Sequence, residues 1–231
     1  MRILFVHSIG KRKYGGGERW VINAASGLKA RGHDVVVAGK KNSVLLKEAQ
    51  KRNVKTYNIN ITSDINILQA FRLSRFIKKQ KTDAVICKGR ELAVTGLAVK
   101  WGGKPVLIRR SGSPPPPKSR KLAVRTKAFV DGVITNTNTI REIYLNHGFT
   151  SENFVKVIYN GLEFHDKLEA FNYTAHYPGR VIAVCIGRAV GHKGYYYLID
   201  ALCEIKNIYP HLFVYVLGEG KDRKSLIEYA K

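Results

Sequence analysis

The chain has few acidic residues, few cysteines and no long apolar stretch. It contains 17 Asp and Glu against 40 Lys and Arg, and three cysteines among 231 residues. Three widely spaced cysteines favour neither a disulfide framework nor a metal site, so we expect buried thiols at Cys87, Cys185 and Cys203. No run of about eighteen apolar residues occurs, and the apolar stretch before His7 is too short for a signal peptide. The sequence therefore predicts a cytoplasmic protein.

The excess of positive charge is concentrated in the first half of the chain. The formal net charge is +23 and the sequence pI is about 10.1. Residues 1–110 carry 24 Lys and Arg against 6 Asp and Glu, whereas residues 111–231 carry 16 against 11. Such a surface attracts nucleic acid, an anionic membrane face or a phosphorylated substrate. No zinc finger, helix-turn-helix or RNP-like aromatic pair accompanies the charge, which makes nucleic acid the weaker interpretation.

The order of apolar runs and helical patterns is that of an α/β protein. An apolar run from Arg2 to His7, a glycine cluster, a helical pattern that ends near Gly32 and a run from Asp34 to Ala38 make a strand–helix–strand unit. Further strands are predicted at residues 56–61, 84–87, 105–108, 132–135 and 155–158, and helices at 65–79, 91–100, 121–129 and 139–147, the last capped by Asn138. A parallel sheet covered by helices on both faces follows.

Two irregular segments interrupt this alternation. Arg109 to Arg120 contains four consecutive prolines, which predict an extended loop. Residues 160–178 lack a periodic pattern and predict a linker. A second strand–helix–strand unit follows, with strands at 181–186 and 212–217 and a helix at 195–208. We expect one domain at residues 1–160, a linker at 161–178 and a second domain from 179 to 231.

Two glycine-rich turns could bind an anion. Gly15-Gly16-Gly17 precedes the first helix, where free backbone N–H groups favour a phosphate, although a tight turn without a ligand needs the same residues. The segment fits neither the P-loop nor the dinucleotide fingerprint. In the second turn, Arg188 follows a strand and Lys193 precedes a helix. The two cations match the two phosphates of a diphosphate, or they are ordinary solvated surface residues.

These segments together resemble the family 4 glycosyltransferases of group 1 type, which are retaining enzymes with the GT-B fold. The resemblance rests on four motifs in the same order, which are GGGERW at 15–20, IYNGL at 158–162, Gly187-Arg188 with Lys193-Gly194, and LGEG at 217–220. It implies a complete N-terminal Rossmann-like domain for the acceptor and the first part of a second Rossmann-like domain for the donor. A complete second domain needs about 150 residues, so a C-terminally incomplete chain is expected.

The resemblance also implies a set of site residues. Arg188 and Lys193 are the expected catalytic residues, which bind the donor diphosphate and stabilise its developing charge. The expected donor-binding residues are Gly16, Gly17, Asn160, Gly161, Gly218, Glu219 and Gly220, and the expected acceptor-binding residues are Gly15, Glu18 and Arg110. No Asp-x-Asp pair is present to hold a divalent ion, so we expect no metal and no cofactor besides a UDP- or GDP-linked sugar as donor substrate.

The chain departs from the family at two places. The family's histidine after the fifth strand is replaced by Arg109-Arg110-Ser111, so Arg110 either contacts a phosphorylated acceptor or is a solvated loop residue. His7 is expected to be a hydrogen-bonded strand-end histidine. The family's Glu-x7-Glu segment, which contacts the donor sugar, has no counterpart in the last fifty residues.

The leading hypothesis is a retaining, metal-independent hexosyltransferase of envelope polysaccharide, lipopolysaccharide or glycolipid assembly. The basic N-terminal domain predicts a peripheral position on anionic lipid at the inner face of the cytoplasmic membrane. The alternatives are an inactive glycosyltransferase-like fragment and a basic nucleic-acid-binding protein.

Overall fold

The chain divides into two units, Met1–Leu162 and Glu163–Lys231, in a computed structural model. The structure describes residues 1–8, 10, 14–63, 66–115, 119–161 and 173–231. Most of the predicted linker, residues 162–172, lies outside these ranges, and so do Pro116 and Pro117 of the proline run. The predicted domain and linker limits therefore stay predictions.

The first unit is built on a seven-stranded parallel sheet. Its strands are β1 (Arg2–Val6), β2 (Asp34–Gly39), β3 (Lys55–Asn58), β4 (Ala84–Cys87), β5 (Val106–Ser111), β6 (Gly132–Thr135) and β7 (Val155–Val157). Their order across the sheet is β3-β2-β1-β4-β5-β6-β7, and every neighbouring pair is parallel. The α/β class with a Rossmann-like first domain is confirmed.

Helices cover both faces of this sheet. They are α1 (Gly16–Ala30), α2 (Val44–Lys51), α3 (Ile67–Gln80), α4 (Leu92–Trp101), α5 (Arg120–Phe129) and α6 (Asn138–Asn146). Side chains of α1 and α2 pack with Ile3, Phe5 and Val37 on one face, and α3 to α6 pack with Leu4, Val6 and the later strands on the other. Since successive strand side chains point to opposite faces, β1, β2 and β4 contribute apolar side chains to both faces.

The structure differs from the predicted elements at three places in this unit. Helix α2 was not predicted, although Ser43 caps it by accepting a hydrogen bond from Leu46 N at 3.3 Å. Helix α6 is capped by Thr137, not by Asn138, because the Thr137 hydroxyl accepts from Ile140 N. Strand β5 continues through Ser111, so the predicted loop begins three residues later than expected.

The second unit contains a two-stranded parallel sheet. Strand β8 (Val181–Ile186) pairs with β9 (Leu212–Leu217), and the helices are α7 (Tyr173–His176), α8 (Tyr195–Ile205) and α9 (Arg223–Tyr229). Helix α7 lies in the stretch predicted to be irregular. The core consists of Ala189, Tyr195 and Leu226.

The prediction that all three cysteines are buried holds for one of them, and the small core of the second unit explains why it fails for the other two. Cys87, the last residue of β4, is buried as predicted, and burial raises the pKa of its thiol to about 12. Cys185 is half-buried and Cys203 is exposed on α8, so the prediction of three buried thiols is wrong for these two. A two-stranded sheet with one apolar cluster leaves part of β8 and α8 in contact with water.

Candidate active site

Three polar side chains stand side by side at the carboxyl edge of the seven-stranded sheet. Val6 is in register with Cys87, and Cys87 with Arg109, so the next residues along, His7, Lys88 and Arg110, follow one another across neighbouring strands. Adjacent strands are about 4.8 Å apart. All three side chains lie on the face that α1 covers. Ligands of open α/β sheets bind at this edge, which makes these residues a candidate site.

Glu18 connects the first turn of α1 to this row. Its Oε2 accepts a hydrogen bond from Gly15 N at 2.7 Å, and its Oε1 lies 2.6 Å from Nε2 of His7. Burial alone would raise the pKa of the Glu18 carboxyl, but the hydrogen bond and charge of His7, the Gly15 N–H and the Lys88 ammonium outweigh burial and lower that pKa. Both carboxylate oxygens are therefore engaged within the protein.

His7 is buried between two carboxylates. Its Nε2 faces Glu18, and its Nδ1 lies 3.6 Å from Oε1 of Glu91, a distance too long for a hydrogen bond. The same Glu91 oxygen accepts from Ser8 N at 2.9 Å. The prediction that His7 is a hydrogen-bonded strand-end histidine is confirmed, and its ring fixes Glu18 at the start of α1.

Lys88 is the residue of this site that sequence reasoning missed. Its Nζ lies over Gly17, so that a Cβ at Gly17 would collide with the ammonium, whereas the space over Gly16 is open. Burial and the nearby Arg110 charge lower the pKa of Lys88, and Glu18 and Glu91 oppose them. Among the residues that the structure describes, no hydrogen-bond or ion-pair partner of Lys88 is found. The carboxylates of Glu18 and Glu91 balance part of its charge, and the N–H donors of Lys88 Nζ are left for a ligand.

Arg110 is not a solvated loop residue, because β5 carries it and its side chain is only 5% exposed. The guanidinium carbon lies 4.7 Å from the ring centroid of Trp20, and NH2 donates a hydrogen bond to Oδ1 of Asn160 at 3.3 Å. Burial lowers the pKa of Arg110, and the charge of Glu18 opposes this effect. Two residues predicted separately, Arg110 and Asn160, are thus brought together.

Arg109 points to the opposite face, as the alternation of a strand requires. Its NH1 donates to the Thr126 hydroxyl at 3.2 Å, and its guanidinium lies 5.4 Å from the ring centroid of Tyr144. Burial lowers the pKa of Arg109. It is a buried part of the α5 and α6 packing and does not reach the site.

Two turns meet at the carboxyl end of β8 and β9 in the second unit. Ala189 N donates to Glu219 O at 3.1 Å and Gly187 N donates to Leu217 O at 3.0 Å. A Cβ at Gly218 would collide with the Gly187 carbonyl, and a Cβ at Gly220 with the Ala189 carbonyl. The turn at 218–220 therefore depends on glycine to reach the turn that carries Arg188.

Arg188 and Lys193 are both exposed at this double turn. Within the described residues neither side chain has a hydrogen-bond or ion-pair partner, whereas Arg223 lies 3.7 Å from the Glu219 carboxylate. Gly191 N is held by Asp222 Oδ2 at 2.7 Å, which fixes the turn between the two cations. Two free cations on a fixed turn can bind a doubly charged anion.

Gly161, the remaining predicted site residue, shows no contact in the described part of the chain that would indicate which ligand it binds. Gly161 ends the described part of the first unit, and nothing lies within 4 Å of a Cβ placed there. In the ranges that the structure describes, no three His, Cys, Asp or Glu side chains gather at metal-binding distance. No helix within those ranges is long and apolar enough to cross a bilayer. The roles of the predicted site residues stay predictions.

The chain is similar to known glycosyltransferases in sequence pattern and in fold. The sequence profile of Glycosyltransferase Family 4 matches residues 14–165. Similar solved structures include a glycosyltransferase from Rickettsia africae ESF-5, with 21% identity and a TM-score of 0.81 over 100% of this chain and 63% of that one. Anabaena Alr3699/HepE in complex with UDP has 17% identity and a TM-score of 0.78 over 99% of this chain and 64% of that one.

A third similar structure is the lipopolysaccharide outer core galactosyltransferase WaaB in its apo form. It is 16% identical, with a TM-score of 0.68 over 100% of this chain and 64% of that one. No curated protein sequence matches the chain. The chain thus spans less than two thirds of the length of each of these three structures.

Proposed function

Because the chain belongs to Glycosyltransferase Family 4 and has a GT-B-type first domain, we propose that it is part of a retaining, metal-independent hexosyltransferase. It transfers a sugar from a nucleotide diphosphate sugar to an envelope polysaccharide, lipopolysaccharide or glycolipid. The observation that carries the proposal is the pair of free cations, Arg188 and Lys193, on the turn after β8. A diphosphate leaving group gains charge as its bond to the sugar breaks, and fixed cations stabilise that charge.

The double turn of the second unit is the proposed donor site. Arg188 offers a planar fork and Lys193 a point charge, which together match two adjacent phosphates. HepE has been solved with UDP and with UDP-glucose, and this likeness of fold supports a uridine nucleotide as the first donor to test. Isothermal titration calorimetry with UDP and with GDP tests which nucleotide the donor site accepts. We expect the preferred nucleotide to bind and the other not to bind. Binding of neither nucleotide would contradict the donor site.

The row at the edge of the first unit is the proposed acceptor site. The cations Lys88 and Arg110 lie at the start of α1, where the space over Gly16 is open and helix N–H groups point outward. Gly16 and Gly17 are expected from the family resemblance to bind the donor, and this proposal assigns them to the acceptor phosphate instead. Both oxygens of Glu18 and Oε1 of Glu91 are held by Gly15, His7 and Ser8, so these carboxylates are fixed beside the cations and do not take up the Lys88 N–H donors. This arrangement fits an acceptor that carries a phosphate group.

Lys88→Met is expected to weaken phosphate binding to the first unit by about tenfold or more, since charged hydrogen bonds contribute about 1.5–3 kcal/mol. The phosphate affinity is measured by NMR, from the shifts of the Gly16 and Gly17 backbone amide signals as inorganic phosphate is added. Lys47→Met, which removes an exposed cation on α2, is the matched control and should leave the titration unchanged. Equal phosphate affinity in wild type and Lys88→Met would contradict the acceptor site.

Chelation of divalent ions is expected to leave sugar transfer unchanged. The reason is that in this proposal Arg188 and Lys193 supply the positive charge that a divalent metal otherwise brings to the diphosphate. The measurement is the steady-state release of UDP or GDP before and after treatment with EDTA, with re-addition of Mg²⁺ as the control. Loss of turnover that Mg²⁺ restores would show that the cations do not suffice.

The place of action is proposed to be the inner face of the cytoplasmic membrane. The support is the charge of residues 1–110, because each Lys or Arg near anionic lipid contributes about 1 kcal/mol.

A further inference from the structure

The exposed side of α3 has an apolar end and a basic end. Ile67, Leu68 and Phe71 are 64%, 65% and 52% exposed. The other exposed residues of the helix are Arg72, Arg75, Lys78 and Lys79. Trp101, at the end of the neighbouring α4, is 50% exposed. We call these eight residues the α3 surface.

A groove runs along this surface. It has a volume of about 670 Å³, and its lining includes Ile67, Phe71, Arg75, Lys78 and Trp101. The Arg75 guanidinium carbon lies 5.9 Å from the Phe71 ring centroid, so the apolar and basic parts are continuous. Neither α3 nor α4 contains an Asp or a Glu. The groove therefore has a largely apolar lining, and the charged residues of that lining, Arg75 and Lys78, are both positive.

The apolar residues of this surface lie outside the buried core of the first unit. Helix α3 is anchored by its other side, where Ala70, Leu73 and Ile77 are fully buried in the core. Single exposed apolar residues are common, but four large ones around one groove mark an interaction site.

We propose that the α3 surface docks the protein onto an anionic phospholipid bilayer. Ile67, Leu68 and Phe71 enter the boundary between headgroups and acyl chains, Trp101 lies at the headgroup level, and the cations contact lipid phosphates. A nucleic acid would use the cations and leave the apolar groove in water. A second copy of this surface would place cation against cation, because the surface has no acid to pair with them.

The position of α3 connects this surface to the candidate acceptor site. In parallel α/β units each helix starts at the carboxyl edge of the sheet, so the apolar end of α3 lies at the edge that carries Lys88 and Arg110. A lipid-linked acceptor would reach that edge from the bilayer. This connection rests on the proposed function, whereas docking itself is measurable without any transfer reaction.

The test is flotation of the chain with vesicles of phosphatidylcholine alone or mixed with phosphatidylglycerol. We expect the wild type to float with the mixed vesicles and to stay in the dense fraction with the neutral ones. The triple variant Arg72→Gln, Arg75→Gln, Lys78→Gln should lower the partition coefficient by roughly 100-fold, as three cations near lipid imply. The triple variant Ile67→Ser, Leu68→Ser, Phe71→Ser should also lose flotation, because it leaves the charge unchanged but removes the apolar end.

A matched control separates this surface from net charge. Lys41→Gln, Lys47→Gln, Lys127→Gln removes three exposed cations elsewhere on the first unit. It should float nearly as wild type, and equal losses in both charge variants would overturn the proposal in favour of a general charge effect. Undiminished flotation of the serine variant, or a dimer in sedimentation that the serine variant abolishes, would overturn it too. Far-UV circular dichroism of each variant confirms that it is folded.

Tryptophan fluorescence gives a second, local readout. The chain has two tryptophans, so Trp20→Phe leaves Trp101 as the reporter. Brominated phosphatidylcholine in the mixed vesicles should quench Trp101 and shift its emission to shorter wavelength. Flotation without quenching would place the bilayer elsewhere on the molecule and overturn the assignment to the α3 surface.

Discussion

Arg188→Ala is expected to lower the rate of sugar transfer by about 10²–10³-fold, with a smaller change in the KM for the donor. The guanidinium is exposed on the turn after β8 and, in the described part of the chain, has no protein partner. Its interaction grows as the diphosphate departs, so its loss raises the barrier by about 2.7–4 kcal/mol more than it weakens donor binding.

Lys193→Ala should give a loss of the same order. Arg188 precedes Gly191 and Lys193 follows it, and Asp222 holds the Gly191 N–H, so both cations belong to one fixed turn and act on one leaving group in this proposal. Since both stabilise the same charge, the double variant should lose less than the sum of the two single losses. The measurement is steady-state release of the nucleotide diphosphate, with kcat and KM determined separately.

The control for both variants is Lys206→Ala. Lys206 is an exposed cation just after α8, at the end of that helix remote from the turn. It should leave kcat and KM unchanged. Rates in Arg188→Ala and Lys193→Ala that equal the Lys206→Ala rate would reassign both residues to the ordinary solvated surface.

The sequence predicted strand positions well because apolar runs are long and the turns between them contain glycine. It did not predict α2, because eight residues with three buried apolar side chains give a weak helical pattern. It also ended β5 at Ile108, since two arginines do not continue an apolar run. Arg109 and Arg110 are nevertheless strand residues, one under the α5 and α6 side chains and one stacked on Trp20.

The candidate site was predicted from motifs, and motifs do not contain Lys88. The signal that could have found it is period two along neighbouring strands, because His7, Lys88 and Arg110 each follow a residue that points to the opposite face. That signal requires the order β1-β4-β5 in the sheet, which pattern alone does not give. Whether Arg188 and Lys193 have ion-pair partners likewise depends on which acids lie near them. Only the structure shows that Asp222 binds Gly191 N and that Glu219 lies beside Arg223.

Gly218→Ala is expected to separate the two turns that make up the proposed donor site. Gly218 has a φ of +153°, which L side chains rarely adopt, and a Cβ there would collide with the Gly187 carbonyl. Backbone strain of about 1–3 kcal/mol and overpacking of about 1–3 kcal/mol act together, because the Gly187 carbonyl is backbone and cannot rotate away. We expect a loss of about 3 kcal/mol in the free energy of unfolding of the second unit.

Amide hydrogen exchange followed by mass spectrometry measures this loss in the second unit itself. Tryptophan fluorescence would not report it, because both tryptophans belong to the first unit. A loss of about 3 kcal/mol corresponds to exchange roughly 100-fold faster in peptides from β8 and β9, while β1 to β7 keep their rates. Nucleotide binding should weaken in parallel, because Arg188 follows directly on Gly187.

Gly191→Ala is the matched control for Gly218→Ala, because it makes the same substitution in the same double turn. The nearest atom to a Cβ at Gly191 is Asp222 Oδ2 at 3.8 Å, an ordinary contact, so exchange in β8 and β9 should stay near the wild-type rate. If the two variants exchange alike, the close approach of the turns is not what requires glycine at position 218. If Gly218→Ala accelerates exchange but leaves nucleotide affinity intact, the turn at 218–220 supports the fold alone and the donor diphosphate binds elsewhere.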